Sequence, residues 1–202
     1  MKENLLLATN NAGKIEEFHY LFRALPFELV TPARINLKME VEESGRTYAE
    51  NAALKAGTLA AASGLLTLAD DSGLEVDALK GEPGIRSSRY AGDQASDADR
   101  VAFLLNKLRD IPWEKRTARF RCVIAIARPG GVPVFCAGAC EGLITFAPRG
   151  TTGFGYDPIF YFPVLAKTMA ELPADVKNSV SHRAQAARAA RAALAGRSVS
   201  SP

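Results

Sequence analysis

The amino-acid sequence predicts an α/β fold with a mixed, elongated central sheet flanked by helices. In the first half of the chain, short apolar runs at residues 4–8, 27–30 and 65–69 alternate with segments of helical periodicity, a pattern typical of a partly parallel sheet. In the middle, apolar and polar side chains alternate from 118 to 126 before a turn at 129–131, which indicates an antiparallel hairpin. The sheet should therefore contain both parallel and antiparallel pairs.

The elements of the first half have recognisable ends. After the first strand, a small polar loop leads into a helix whose apolar side chains recur every three or four residues, and the second strand follows the break at Pro26. Thr47 and Glu50 have the spacing of a capping box, so a second helix should begin there and end at Gly64. The third strand is predicted to end on Asp70-Asp71-Ser72-Gly73.

The second half of the chain continues with two helices and the rest of the hairpin. Ser96 or Asp97 should cap a third helix, because both residue types accept hydrogen bonds from the free N–H groups of a first turn. Residues 132–139 can return as the second strand of the hairpin. A last helix is predicted to begin near Ser181 and to run through alanine and arginine to Gly196.

The composition is that of a folded enzyme-sized domain. Of 202 residues, 48% are hydrophobic and 23% are charged, which excludes a disordered chain. No linker or repeat divides the sequence, so we expect one domain over residues 1–197, built from two intimate lobes with the active-site cleft between them. Residues 198–202 should form a frayed tail. The net charge of +3, with interspersed signs, argues against a nucleic-acid partner.

The sequence also bears on location and redox state. We find neither an apolar run of membrane-spanning length nor a signal peptide, and we therefore expect a cytoplasmic protein with no membrane partner. Cys122, Cys136 and Cys140 form an odd set without metal-ligand spacing. They are predicted to be reduced thiols in the core.

A phosphate site is indicated where the first strand meets the first helix. The free N–H groups at a helix N-terminus attract anions, and Lys14 adds a positive charge there. The segment lacks the glycine spacing of a P-loop, and Ile15 stands where a magnesium-binding Ser or Thr would be. An ordinary turn before a helix is the alternative interpretation. The candidate residues are Thr9, Asn10, Asn11, Ala12, Gly13 and Lys14.

The adjacent acids Asp70 and Asp71 are the candidate catalytic centre. Ligands of open α/β sheets gather beyond the carboxyl ends of the strands, where these acids are predicted to lie. Neighbouring carboxylates resist ionising together unless a cation joins them, and oxygen ligands suit magnesium. The alternative is an Asx turn closed by Ser72 and Gly73.

Two further segments carry candidate residues of other kinds. Glu42 and Glu43 form an acidic pair before the second helix, on which Asn51 and Lys55 lie four positions apart. Surface charge explains these four residues equally well. The segment Gly153-Phe154-Gly155-Tyr156-Asp157-Pro158 holds two aromatic side chains in a tight loop, where one could stack on a base or pack in the core.

Basic residues also gather at the start of the last helix. Lys177, His182 and Arg183 lie close together in the sequence, and the helix dipole disfavours positive charge in a first turn. This indicates that Arg183 serves a specific purpose.

Taken in order, six motifs resemble the inosine triphosphate pyrophosphatase family, which removes deaminated purine nucleotides. The resemblance extends from about Leu6 to Ala189, with mild departures at Asn10 and Ser88. Its motifs are Thr9-x-Asn11-x-x-Lys14, Glu50-Asn51-Ala52-x-x-Lys55-Ala56, Asp70-Asp71-Ser72-Gly73-Leu74, Pro83-Gly84 with Ser88-Arg89-Tyr90-Ala91-Gly92, Gly153-Phe154-Gly155-Tyr156-Asp157-Pro158, and Ser181-His182-Arg183.

The resemblance implies hydrolysis of ITP, dITP and XTP to the monophosphate and pyrophosphate by a magnesium-dependent homodimer. It implies that Asp71 accepts a proton from the attacking water, and that Lys14 and Lys55 assist at the phosphates. Metal binding is assigned to Glu42, Asp71 and Asp70. The residues implied to hold the nucleotide are the segment from Thr9 to Lys14, Ser72, Phe154, Gly155, Tyr156, Asp157, Lys177, His182 and Arg183.

A donor from Arg183 or from a backbone N–H would favour the 6-oxo group of hypoxanthine and xanthine. The amino group of adenine would leave that donor unpaired, at a cost of about 1–3 kcal/mol. Two alternatives stay open, namely a Maf-like nucleotide pyrophosphatase and a non-catalytic nucleotide-binding module. The Ser181-His182-Arg183 motif argues against the first, and the acidic pair argues against the second.

Overall fold

The computed structural model describes residues 2–196, which contain a mixed sheet of seven strands and five α-helices. The strands are β1 (Glu3–Leu7), β2 (Phe27–Val30), β3 (Leu66–Val76), β4 (Thr117–Ala127), β5 (Val134–Ile144), β6 (Phe160–Phe162) and β7 (Lys167–Thr168). The helices are α1 (Ala12–Phe22), α2 (Tyr48–Ser63), α3 (Asp97–Lys107), α4 (Ala174–Val180) and α5 (His182–Ala195). The predicted tail at 198–202 lies outside the described residues.

The sheet has the order β2-β1-β3-β4-β5-β6-β7. Strand β1 pairs in parallel with both β2 and β3, whereas β6 pairs in antiparallel fashion with β5 and β7. Strands β4 and β5 are neighbours joined by the predicted turn. The mixed α/β sheet expected from the sequence is therefore confirmed.

The chain divides into two compact units. Among the described residues, unit 1 comprises 2–71, the segment Cys122–Gly138 and 183–196. Unit 2 comprises Ser72–Arg121 and Ala139–His182.

In unit 1, alternate residues of β1 pack on opposite faces of the sheet, as a strand requires. Leu5 and Leu7 join a core cluster with Phe18 of α1 and the alanine-rich face of α5. Leu6 joins a second cluster with the alanines of α2. The small side chains of α2 and α5 let these helices lie close to the sheet. Unit 2 has its own core, in which α3 packs with residues of β3, β4 and β6.

Helix α2 begins and ends where the sequence predicts. The Thr47 hydroxyl accepts a hydrogen bond from the Glu50 N–H at 3.1 Å, and Gly64 ends the helix in the left-handed conformation at φ 72°. The Glu50 carboxylate accepts from the Arg46 N–H at 2.6 Å. In a standard capping box this carboxylate would accept from the N–H of the N-cap residue, here Thr47. In α2 it accepts from the N–H of the residue before the N-cap. Ser96 caps α3, as one of the two predicted alternatives.

The prediction that the third strand ends at Asp70 is wrong. Strand β3 continues through Asp70-Asp71-Ser72-Gly73 to Val76, so these residues do not form an Asx turn. Pairing between β1 and β3 covers Leu66–Leu68 of β3. Beyond that point β3 keeps its neighbour β4, which supplies hydrogen-bond partners to a polar segment that looks like a turn in the sequence.

Two other features complete the comparison with the sequence. Helix α4 was not predicted. It ends at Val180, and its C-cap Ser181 lies directly before α5. The three cysteines are free and buried, as expected. Within the described part of the chain, no helix has the length and apolar character needed to cross a membrane.

Candidate active site

The loop between β1 and α1 has the geometry of a helix N-terminus open to ligands. Asn11 caps α1, because its side-chain oxygen accepts a hydrogen bond from the Lys14 N–H at 2.9 Å. The Thr9 hydroxyl accepts from the Asn11 N–H at 3.2 Å. Thr9 and Gly13 are half-buried, and the residues between them are exposed. The N-terminal end of α1 is therefore accessible to an anion.

Asp70 lies at the centre of a buried ionic cluster in unit 1. Its side chain is 0% exposed, and Oδ2 lies 3.0 Å from Lys14 Nζ and 3.5 Å from Arg183 Nη2. The Cys122 thiol approaches the same oxygen at 3.9 Å. Burial by itself would raise the pKa of Asp70, but Lys14, Arg183 and Lys55 outweigh it and lower that pKa well below its ordinary value. Asp70 is therefore ionised near neutral pH and contacts two cations.

Arg183 extends this cluster to α1. Its side chain is 2% exposed, and Nη1 lies 2.5 Å from Glu17 Oε2. Burial disfavours the charged guanidinium, yet Glu17 and Asp70 raise the pKa of Arg183 above its ordinary value. The structure thus places Arg183 between two carboxylates of unit 1.

Asp71 faces a second set of residues, supplied by α2 and the acidic segment before it. Asp71 Oδ2 accepts a hydrogen bond from Asn51 Nδ2 at 3.1 Å, and Lys55 Nζ lies 3.7 Å from Oδ1. Lys55 also binds Glu43 Oε1 at 2.7 Å. Burial raises the pKa of Asp71, Lys55 lowers it and Glu43 raises it further, so the net direction is upward. Neighbouring residues of one strand therefore have opposite shifts: Asp70 stays ionised, while Asp71 is more readily protonated.

Lys55 remains a cation despite its burial. Desolvation lowers the pKa of Lys55, but the carboxylates of Asp70, Asp71 and Glu43 reverse this effect, and the net shift is upward. A positive charge is thus held beside Asp71.

Of the two glutamates before α2, Glu43 forms an ion pair with Lys55, and Lys55 also lies beside Asp71. Glu42, which the resemblance implies as a metal ligand, is exposed. The geometry therefore favours Glu43 as the second carboxylate of this set.

The two carboxylates beside Lys55 are donors of the kind that a divalent cation takes. Asp71 and Glu43 offer carboxylate oxygens, and the upward effect of Glu43 on the pKa of Asp71 shows a repulsion that a cation would relieve. Among residues 2–196, no group of three or more His, Cys, Asp or Glu side chains is arranged to hold a metal ion. Magnesium commonly takes one or two carboxylates and completes its shell with water and phosphate oxygens.

The predicted aromatic loop belongs to unit 2. Asp157 Oδ2 accepts a hydrogen bond from the Phe154 N–H at 2.9 Å and binds Lys177 Nζ at 2.5 Å. Gly153 has φ +78°, and a Cβ on it would lie 2.1 Å from Asp157 Oδ2, so only glycine fits there. Phe154 is half-buried, with Lys177 Nζ 4.9 Å from its ring centroid.

The two aromatic residues of this loop have different environments. Tyr156 is buried in the core of unit 2, and its hydroxyl donates to the Ser87 carbonyl at 3.0 Å. It is therefore a packing residue, whereas the half-buried ring of Phe154 can still contact a ligand. The Gly155 N–H donates to Asp97 Oδ2 at 2.6 Å, which ties the loop to the N-terminus of α3.

His182 and Ser72 complete the predicted set. The His182 ring is buried and stacks on Phe120, with centroids 4.7 Å apart. Ser72 is half-buried within β3.

The structure therefore groups the predicted residues in two clusters. In unit 1, the α1 loop and Lys14 lie with Asp70, Asp71, Lys55 and Arg183. In unit 2, Asp157, Lys177 and Phe154 form a connected group.

Sequence reasoning did not assign roles to two residues of the first cluster. In the sequence, Asn51 stands out only as part of a motif and of a helix face. Glu17 carries no sequence signal beyond being an acid in a helix, because its partner Arg183 is 166 positions away.

Comparison with known proteins identifies the family. The Ham1 family model matches residues 5–193. The chain belongs to the Ham1 family. This confirms the family relationship inferred from the ordered motifs.

Named relatives of this Ham1-family chain share half of its residues. A dITP/XTP pyrophosphatase of Geobacter sulfurreducens is 50% identical over 182 residues, covering 90% of this chain and 92% of the relative. Another, of Desulforamulus reducens, is 50% identical over 186 residues, covering 92% of each chain.

Solved structures agree with the fold. A HAM1 protein from Coxiella burnetii superposes with a TM-score of 0.88 at 41% identity, covering 96% of this chain and 99% of that one. The Staphylococcus aureus Ham1 protein gives a TM-score of 0.86 at 42% identity, with the same coverage.

Proposed function

We propose that this Ham1-family chain hydrolyses non-standard purine nucleoside triphosphates, namely dITP, XTP and ITP, to the monophosphate and pyrophosphate. The observation that carries the proposal is the cluster of Asp71, Lys55 and Glu43, with Lys14 at Asp70 beside it. Carboxylates and lysines are groups that phosphoryl transfer uses. The chain that holds them is 50% identical in sequence to proteins named for this activity.

The triphosphate binds at the N-terminal end of α1. The main-chain N–H groups of the loop and the ammonium group of Lys14 donate hydrogen bonds to phosphate oxygens there. Asp70 holds Lys14 from the buried side, and Arg183 contacts the same oxygen of Asp70. Lys55 provides a second positive charge close to the reacting phosphate.

Asp71 accepts the proton of the attacking water. Its pKa is raised by burial, which makes its carboxylate a better proton acceptor than an exposed aspartate. The water oxygen forms a bond to the α-phosphorus, the bond to the bridging oxygen breaks, and the electron pair leaves with pyrophosphate. Asp71 and Glu43 would hold Mg²⁺, which when bound neutralises charge on the phosphates.

The resemblance described above assigns the nucleobase to the loop that contains Phe154. Phe154 offers a ring face for stacking, and Lys177 and Asp157 fix that loop. Arg183 is enclosed by Glu17 and Asp70, so a main-chain N–H is the better candidate donor to the 6-oxo group. Such a donor favours hypoxanthine and xanthine over adenine.

A substrate panel tests this proposal. Pyrophosphate release from dITP, XTP and ITP should exceed that from ATP and GTP, and orthophosphate should not be released. Equal turnover of all these triphosphates would refute the proposed specificity. Faster turnover of modified pyrimidine triphosphates would instead support the Maf-like alternative, and nucleotide binding without turnover would support a non-catalytic module.

The assembly is part of the same proposal. We expect a homodimer, following the resemblance described above. Light scattering coupled to size-exclusion chromatography should give twice the chain mass of 21.6 kDa, and a monomer mass at working concentration would contradict this.

A further inference from the structure

Asn51 is a fully buried polar side chain beside the proposed general base. It lies in the first turn of α2 and is 0% exposed. Its Oδ1 accepts a hydrogen bond from the Gly45 N–H at 2.8 Å, and its Nδ2 donates to Asp71 Oδ2 at 3.1 Å. A carboxylate only accepts and an N–H only donates, so a single orientation of the amide satisfies both contacts.

Lys55, one helical turn further along α2, makes a parallel pair of contacts. It lies 3.7 Å from the other oxygen of Asp71 and 2.7 Å from Glu43. Both side chains thus connect Asp71 to the acidic loop, which we define as residues 42–45. Asn51 does so through hydrogen bonds of its uncharged amide, and Lys55 does so through ionic contacts of its ammonium group.

Gly45 permits the close approach on which the Asn51 contact depends. A Cβ at this position would lie 2.6 Å from Asn51 Oδ1 and 2.7 Å from Glu50 Cβ. The φ angle of Gly45 lies outside the left-handed region, so alanine would cause no backbone strain at this position. The added Cβ would instead clash with side chains of α2. The acidic loop would have to move away from α2.

We propose that Asn51 is a positioning residue that holds Asp71 and the acidic loop at the spacing needed for metal-dependent hydrolysis. This rests on the proposed function, because Asp71 and Glu43 are the residues assigned to the metal and the water. In this role Asn51 acts through Asp71 and the acidic loop and is not itself a ligand of the substrate or the metal. It fixes the orientation of one carboxylate and the position of the loop that carries the other.

The test compares Asn51→Leu, which keeps the branched shape of the side chain and removes both hydrogen bonds, with Gly45→Ala. Asn106→Leu, at an exposed position of α3, is the matched control. Each protein is assayed for kcat and KM with dITP, for thermal unfolding, and for Mg²⁺ affinity by calorimetry without nucleotide. Loss of an outer partner of a metal ligand typically costs 10–100-fold in affinity or activity.

For Asn51→Leu we therefore expect kcat to fall and the Mg²⁺ dissociation constant to rise, each by about 10–100-fold. KM for dITP should change much less, since Asn51 does not bind the nucleotide. Gly45→Ala should change both quantities in the same direction, and Asn106→Leu should match the wild type.

Wild-type kcat and Mg²⁺ affinity in folded Asn51→Leu would overturn the proposal. If Asn51→Leu does not fold, Gly45→Ala decides in the same way. A wild-type protein that does not hydrolyse dITP would refute the proposed function, and the calorimetric comparison of Mg²⁺ affinities would still test the role of Asn51.

Discussion

Neutralising Asp70 should destabilise the protein by removing the anion shared by two cations. In Asp70→Asn, Lys14 and Arg183 lose a buried carboxylate that lies 3.0 Å and 3.5 Å from them. Breaking a buried ion pair costs about 3–5 kcal/mol. Arg183 keeps Glu17 at 2.5 Å, and the Lys14 side chain is 16% exposed and can be hydrated. We therefore expect the lower end of that range, about 3 kcal/mol.

The expected loss can be measured by urea and thermal unfolding in the presence of EDTA. For a protein of this size, a loss of about 3 kcal/mol lowers the melting temperature by about 6–12 °C. Asp110→Asn, at an exposed position after α3, is the control and should leave the melting temperature unchanged.

The loss should also depend on pH with a defined sign. Because the pKa of Asp70 is lowered in the folded state, its contribution is complete above the unfolded pKa of about 4 and declines as the pH falls toward the folded value. The difference between wild type and Asp70→Asn should shrink by roughly 1 kcal/mol between pH 4 and pH 3. Equal stability of the two proteins at pH 7, or a deficit that stays constant down to pH 3, would refute this reasoning.

Three further experiments test the proposed metal ligand and the loop proposed to hold the nucleobase. Glu43→Gln should weaken Mg²⁺ binding in calorimetry more than Glu42→Gln, since Glu43 lies with Lys55 beside Asp71; the reverse order would favour Glu42. Phe154→Ala should weaken dITP binding by about 1–3 kcal/mol, measured as KM, if its ring stacks on the base; an unchanged KM would remove Phe154 from the site. Gly153→Ala should also raise KM, because a Cβ would lie 2.1 Å from Asp157 Oδ2, and a wild-type KM would show that the loop tolerates displacement.

Local signals were sufficient to predict much of the fold. The limits of α2 follow from Thr47 and Gly64, because capping hydroxyls and left-handed glycines act on adjacent backbone groups. The end of β3 was mispredicted because Asp70-Asp71-Ser72-Gly73 has turn-like composition, while its neighbour β4 keeps it extended. Helix α4 was missed because its N-cap is Pro173, which forms no side-chain capping bond.

The candidate site was predictable to a similar extent. Lys14, Lys55 and Asp71 stand in recognisable motifs, and the structure brings them into one unit. The pairing of Glu17 with Arg183 depends on the packing of α1 against α5, which no local pattern encodes. The choice between Glu42 and Glu43 depends on the path of a loop without regular structure.

The most direct test of the central claim is product analysis of dITP hydrolysis by wild type and Asp71→Asn. The wild type should form dIMP and pyrophosphate in equal amounts, and only with a divalent cation. Asp71→Asn should stay folded, because asparagine keeps the volume and can pair with its neighbours, but it should lose Mg²⁺-dependent turnover. Undiminished pyrophosphate release by folded Asp71→Asn would contradict the role of Asp71 as proton acceptor and metal ligand.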